Sequence, residues 1–121
     1  MPFATATPYN FEMPDAIEIY REGFRLFADD RTDAALEKYR EALALDPSLA
    51  IAWNALSIAL RQQGDLDAAV AAGRKLVELE PDEPLSHTNL SILLQMKGMI
   101  AEAEDEKAEA MQLEMKTRSG S

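Results

Sequence analysis

The chain has 121 residues, 47% hydrophobic and 28% charged, which is apolar content enough for one globular unit and too much for wholesale disorder. Twelve Lys and Arg against twenty-two Asp and Glu leave a formal net charge of −10, the wrong sign for tracking nucleic acid and a bias that speeds encounter with basic partners at low salt. Cysteine is absent, which excludes disulfide and thiolate chemistry, and no stretch approaches the ~18 apolar residues that membrane insertion requires.

Residues 1–15 hold Phe3, Tyr9 and Phe11 among three prolines, the composition of an extended arm. Two readings stay open for it: a docking arm, set on this chain, a second copy or a larger partner, and a frayed terminus. Its first residues lack the basic flank and apolar stretch of a secretory signal, so a cytoplasmic address is expected. Apolar positions then recur at helical spacing and predict six helices, at 15–28, 33–45, 49–62, 66–79, 83–96 and 100–116. Gly64 supplies a left-handed end to the third helix, Asp65 caps the fourth, and Pro81 stops it. Residues 118–121 read as a disordered tail, and no stretch alternates with the period of a strand.

The six helices form pairs related by a shift of 34 residues. That offset aligns Leu26 with Leu60 and Leu94, Ala35 with Ala69 and Ala103, and Leu45 with Leu79 and Leu113. It also aligns Phe24 with Ile58 and Ile92, and Pro47 with Pro81. The units are 16–49, 50–83 and 84–117, with no insertion between them, the signature of a stacked array in which no unit buries its apolar face alone.

In the middle unit Trp53, Leu56, Ser57, Leu60, Ala69 and Pro81 stand at the spacing of the tetratricopeptide repeat, which the chain resembles over residues 16–117. The resemblance implies an all-α, right-handed α-solenoid of three helix-turn-helix hairpins. Departures have local reasons. Gly73 stands where the family prefers an aromatic, with Leu76 restoring bulk one turn on. Ile19 and His87 replace the tryptophan in the outer units, and Met115 replaces the last closing proline. Leu36 and Val70 are expected to pack on the following unit, whereas their equivalent Glu104 has none and faces water.

The resemblance also implies that the first helix of each hairpin lines a concave groove for a peptide or protein segment. The matching positions are Ile17, Tyr20, Phe24 and Phe27 in the first unit, and Ile51, Asn54, Ile58 and Arg61 in the second. The third contributes Leu85, Thr88, Ile92, Gln95 and Met96. The bland alternative is that these side chains pack between helices. Some relatives grip chaperone C-terminal tails with Lys, Asn and Arg. The corresponding positions here hold Tyr20, Phe24, Ala55, Leu85 and Asn89, so no binding of such tails is expected. The aromatic first unit is the expected contact surface.

No catalytic, cofactor or metal constellation is legible. His87 is the only histidine and stands at an interior position, so it is read as packing. Glu102, Glu104, Asp105, Glu106 and Glu109 lack the glycine turn and alternating oxygen ligands of a calcium loop and read as a solvated helix face. Ser57 and Ser91 stand at the close-packed small position of the first helix, with no accompanying base. The resemblance thus implies a non-enzymatic adaptor or scaffold. Two alternatives remain, a small subunit docked in a larger assembly and a chaperone for a secreted or aggregation-prone client, and self-association stays open.

Overall fold

The computed structural model describes residues 14–120. Six helices follow in order: α1 (Ala16–Ala28), α2 (Thr32–Leu45), α3 (Ala50–Gln62), α4 (Leu66–Leu79), α5 (Pro84–Met96) and α6 (Ile100–Gly120). The described residues contain no strand. Five helices start and end within one residue of the sequence expectation. The sixth runs past it, and Arg118 to Gly120 are helical rather than a disordered tail. The reason is local: Met115 occupies the place of Pro81, and the surrounding Ala, Glu, Met and Lys are strong helix formers that give the chain nothing to stop on. Phe3, Tyr9 and Phe11 lie outside the described residues.

The turn inside each hairpin follows one rule. Asp30, Gly64 and Gly98 are 34 residues apart and adopt φ of 62°, 85° and 83°. In each, the next amide reaches back across the helix end, with Arg31, Asp65 and Met99 donating to the carbonyls of Leu26, Leu60 and Leu94 at 2.9–3.0 Å. This is the left-handed C-terminal closure that frees the chain to reverse. The turn of the first unit lacks a glycine yet closes in the same way, because Asp is among the few side chains tolerated there. Upstream, a reciprocal capping box starts α1: Asp15 Oδ1 accepts from the Glu18 amide at 2.9 Å, and Glu18 Oε1 accepts from the Asp15 amide at 3.1 Å.

Packing is strongest within each hairpin and between the second helix of one and the first helix of the next. Ala35, Ala69 and Ala103, the small residues of the second helices, are fully buried, which lets paired helices approach closely. Leu36 and Val70 are buried as the repeat logic requires, and Glu104 is exposed. Gly73 explains its own presence: a Cβ there would lie 3.2 Å from Leu93 Cδ1 and 3.3 Å from Leu90 Cδ1, so α5 occupies the space that a large side chain would need. At the open end, α6 buries only Ala103 and Ala110 and leaves Ile100, Met111 and Met115 exposed.

Candidate functional site

Position in the repeat decides which side chains reach the surface. On the first helix of each hairpin, residues seven apart fall on one face. Apart from Met96, the large hydrophobic side chains left exposed there form two sets, each stepping by 34 residues: Ile17, Ile51 and Leu85, then Phe24, Ile58 and Ile92. Tyr20, Asn54 and Thr88, all half-buried, lie between the two rows. Arg61, Gln95 and Met96 are exposed toward the C-terminal end of the face.

Not every residue expected to line this face is open. Tyr20 and Phe27 pack against the hydrophobic core. Tyr20 stacks on Tyr39 with ring centroids 5.8 Å apart and tilts against Phe24 at 6.3 Å. Burial, with Tyr20 beside it, pushes the phenol of Tyr39 up to about 12. Burial likewise raises Tyr20. Phe24 is 55% exposed, so it alone among the aromatics of α1 lies largely open to solvent. The first unit is therefore less open than its composition suggests.

Between α3 and α5 the face deepens into a cleft of about 340 Å³. Asn89 Nδ2 donates to Asn54 Oδ1 at 3.1 Å across one side of it. Ile51, Leu76 and Leu85 give it apolar walls, and the exposed Glu80 and Glu83 also line it. Among the described residues neither glutamate side chain has a hydrogen-bond or ion-pair partner, and Glu83 does not cap α5 although it stands at the N-cap. Ser86, 2% exposed, lines the same cleft, and its hydroxyl makes no hydrogen bond to any described residue. Sequence reading missed these three residues. The only signal for Ser86 is the 34-residue comparison, which places it opposite the buried Ala52, where a hydroxyl has no packing reason to be.

The residues read as lacking chemistry have structural tasks. Ser91 Oγ donates to the Ala103 carbonyl at 2.8 Å and ties α5 to α6, while Ser57 Oγ donates to the Asn54 carbonyl of its own helix at 2.8 Å. His87 does more than pack. Its Nε2 lies 2.7 Å from the Pro81 carbonyl, the contact that Trp53 Nε1 makes with Pro47 one repeat earlier, and its Nδ1 lies 2.7 Å from Glu106 Oε1. Both ring nitrogens face acceptors, which only the doubly protonated ring satisfies. Burial opposes that charge, but the Pro81 carbonyl and then Glu106 and Glu109 outweigh it and raise the His87 pKa above its ordinary value. The acidic run of α6 is thus not wholly a solvated face. Glu106 holds His87, and Glu102 accepts from both terminal guanidinium nitrogens of Arg74, Nη1 and Nη2, which lowers its own pKa and raises that of Arg74. Among the described residues no group of three potential ligands is arranged for a metal, and no helix is long and apolar enough to cross a membrane.

Comparison with known proteins agrees with this architecture. No curated protein sequence matches the chain. Among solved structures, MamA superimposes with a TM-score of 0.83 at 25% identity, covering 87% of this chain and 61% of MamA. The chain therefore spans about three fifths of that protein's length. The translocator chaperone SycD of Yersinia enterocolitica type III secretion matches with a TM-score of 0.74 at 20% identity, over 81% of this chain and 73% of SycD. The first repeat domain of Spaghetti (RPAP3), solved with the HSP90 peptide SRMEEVD, matches with a TM-score of 0.77 at 16% identity, over 83% and 79% of the two chains. The latter two likenesses are of fold alone. A tetratricopeptide repeat profile matches residues 20–84, more than half of the sequence, and with the three hairpins, the shared turn and the 34-residue period it shows that this chain belongs to the tetratricopeptide repeat family, a generally non-catalytic protein-interaction fold.

Proposed function

We propose that this chain is a non-catalytic adaptor that holds a segment of a partner protein along the face formed by α1, α3 and α5. The observation that carries the reading is the pair of exposed apolar rows, one built on Phe24, Ile58 and Ile92 and the other on Ile17, Ile51 and Leu85. Helices that pack in hairpins have no internal need to leave these side chains in water, and the half-buried Asn54 and Thr88 between the rows offer hydrogen bonds to a peptide backbone. Solved relatives with peptide or chaperone function share the fold and add support at the level of architecture.

The test uses a random linear-peptide library presented to the full chain and to a variant carrying Ile58→Glu and Ile92→Glu. Both positions are partly exposed, so the charges disturb the face more than the core. Peptides rich in apolar residues should be enriched on the parent chain and lost on the variant, with helicity retained. Equal enrichment on both would place binding elsewhere. The HSP90 peptide SRMEEVD is expected to show no saturable binding up to about millimolar concentration by calorimetry. Tyr20, Phe24, Ala55, Leu85 and Asn89 supply no cation for its carboxylates, and micromolar affinity would contradict this reading.

A further inference from the structure

We infer that the cleft between α3 and α5 receives a basic side chain, arginine in preference to lysine, from the protein segment that lies along the apolar rows. This rests on the groove reading and adds to it the chemistry of the occupant. Three independent features meet in one place. The Glu80 and Glu83 carboxylates have no partner among the described residues, and these exposed residues line the cleft. The Ser86 hydroxyl, in a residue 2% exposed, makes no hydrogen bond to any described residue, a state that costs free energy unless a ligand completes it. Asn89 commits its amide nitrogen to Asn54, which leaves its Oδ1 as a further acceptor.

The sign of the ligand follows from these groups. The end of α4 and the starts of α3 and α5 surround the cleft, and their partial charges of about half a unit have opposite signs. Two full carboxylate charges outweigh them, so the cleft favours a cation. Its shape follows as well. Ile51, Leu76 and Leu85 provide an apolar wall for an aliphatic stem, while Glu80, Glu83, Ser86 and Asn89 line the same cleft with oxygen acceptors. A planar guanidinium with five N–H donors can serve more of these acceptors at once than a compact ammonium with three. Two residues of that wall, Ile51 and Leu85, belong to the row that Ile17 begins, so a segment seated on that row passes over the cleft.

The experiment sorts the library-enriched peptides by composition and then runs a double-mutant cycle. Enriched peptides should carry at least one Arg or Lys among their apolar residues. Replacing that residue by norleucine should weaken binding to the parent chain about tenfold. Glu80→Gln with Glu83→Gln should weaken the basic peptide similarly and leave the norleucine peptide unchanged, which isolates the pairwise interaction. Ser86→Ala, copying the buried Ala52, should weaken the basic peptide about threefold while thermal stability is kept or raised. Apolar enrichment without basic preference, or a cycle without coupling, overturns the cleft assignment and leaves the groove standing. Absence of any enrichment relative to the Ile58→Glu, Ile92→Glu variant overturns the groove, and the cleft with it. Because the norleucine substitution is made in the peptide, the inference stays exposed to refutation even if a protein variant folds poorly.

Discussion

Ile92 and Leu94 stand two residues apart on α5, one on the exposed face proposed to bind a partner and the other in the core. Leu94 is 0% exposed and Ile92 is 39% exposed. Leu94→Ala removes three buried carbons and leaves a cavity that rigid neighbours cannot fill, a loss of about 3–4 kcal/mol. Ile92→Ala removes the same number of carbons. At about 0.8 kcal/mol per fully buried carbon, scaled to the roughly three fifths of the side chain that is buried, the transfer loss is about 1.5 kcal/mol. Alanine is the better helix former by about 0.4 kcal/mol, which brings the expected loss near 1 kcal/mol. The assay is urea denaturation followed by circular dichroism and by the fluorescence of Trp53, the single tryptophan, which reports on the middle hairpin. Two probes are needed because repeats coupled only to their neighbours can unfold out of step. Leu94→Ala should shift both midpoints strongly and Ile92→Ala weakly, while peptide binding suffers more from Ile92→Ala. Equal destabilisation would show that Ile92 belongs to the core and would refute the groove assignment at its centre.

Two further outcomes follow from single residues. His87 has a pKa raised above its ordinary value of 6.5, so its contribution is fully present below that value and is lost as pH rises through the folded-state pKa. Urea midpoints should therefore fall as pH increases above 6.5, and His87→Trp, which copies Trp53, should flatten the slope; a parent chain with no slope would contradict the ion-paired ring. Gly64 has φ of 85° with nothing within 4 Å of where an added methyl group would stand, so Gly64→Ala tests backbone strain alone. A loss of about 1–2 kcal/mol is expected in chemical denaturation, and a neutral effect would show that the turn relaxes.

The fold was legible because its signals are local and said three times over. Helical spacing, the small residues at Ala35, Ala69 and Ala103, and the prolines after α2 and α4 all repeat at one offset. Asp30 shows the limit of reading by residue type, since its turn matches those of Gly64 and Gly98 without a glycine. Site details were less legible because they depend on contacts between units. Tyr20 sits at a groove position by register, yet the Tyr39 ring draws it half into the core. Glu102 and Glu106 look solvated by spacing, and only the approach of α4 and α5 gives them Arg74 and His87 as partners. Ser86 is one serine among several; that its hydroxyl lacks a partner among the described residues while those of Ser57 and Ser91 are satisfied is a property of the packed array.

The three turns share one backbone solution and the units join without insertion, so the binding face grows in whole steps. Duplicating residues 50–83 would add one side chain to each apolar row and would leave both end hairpins as they are. Reach along a partner is thereby separated from the chemistry that selects it. On the proposed reading the rows would set how long a segment is held, and the cleft lined by Glu80, Glu83 and Ser86 would set which residue of that segment comes to rest there.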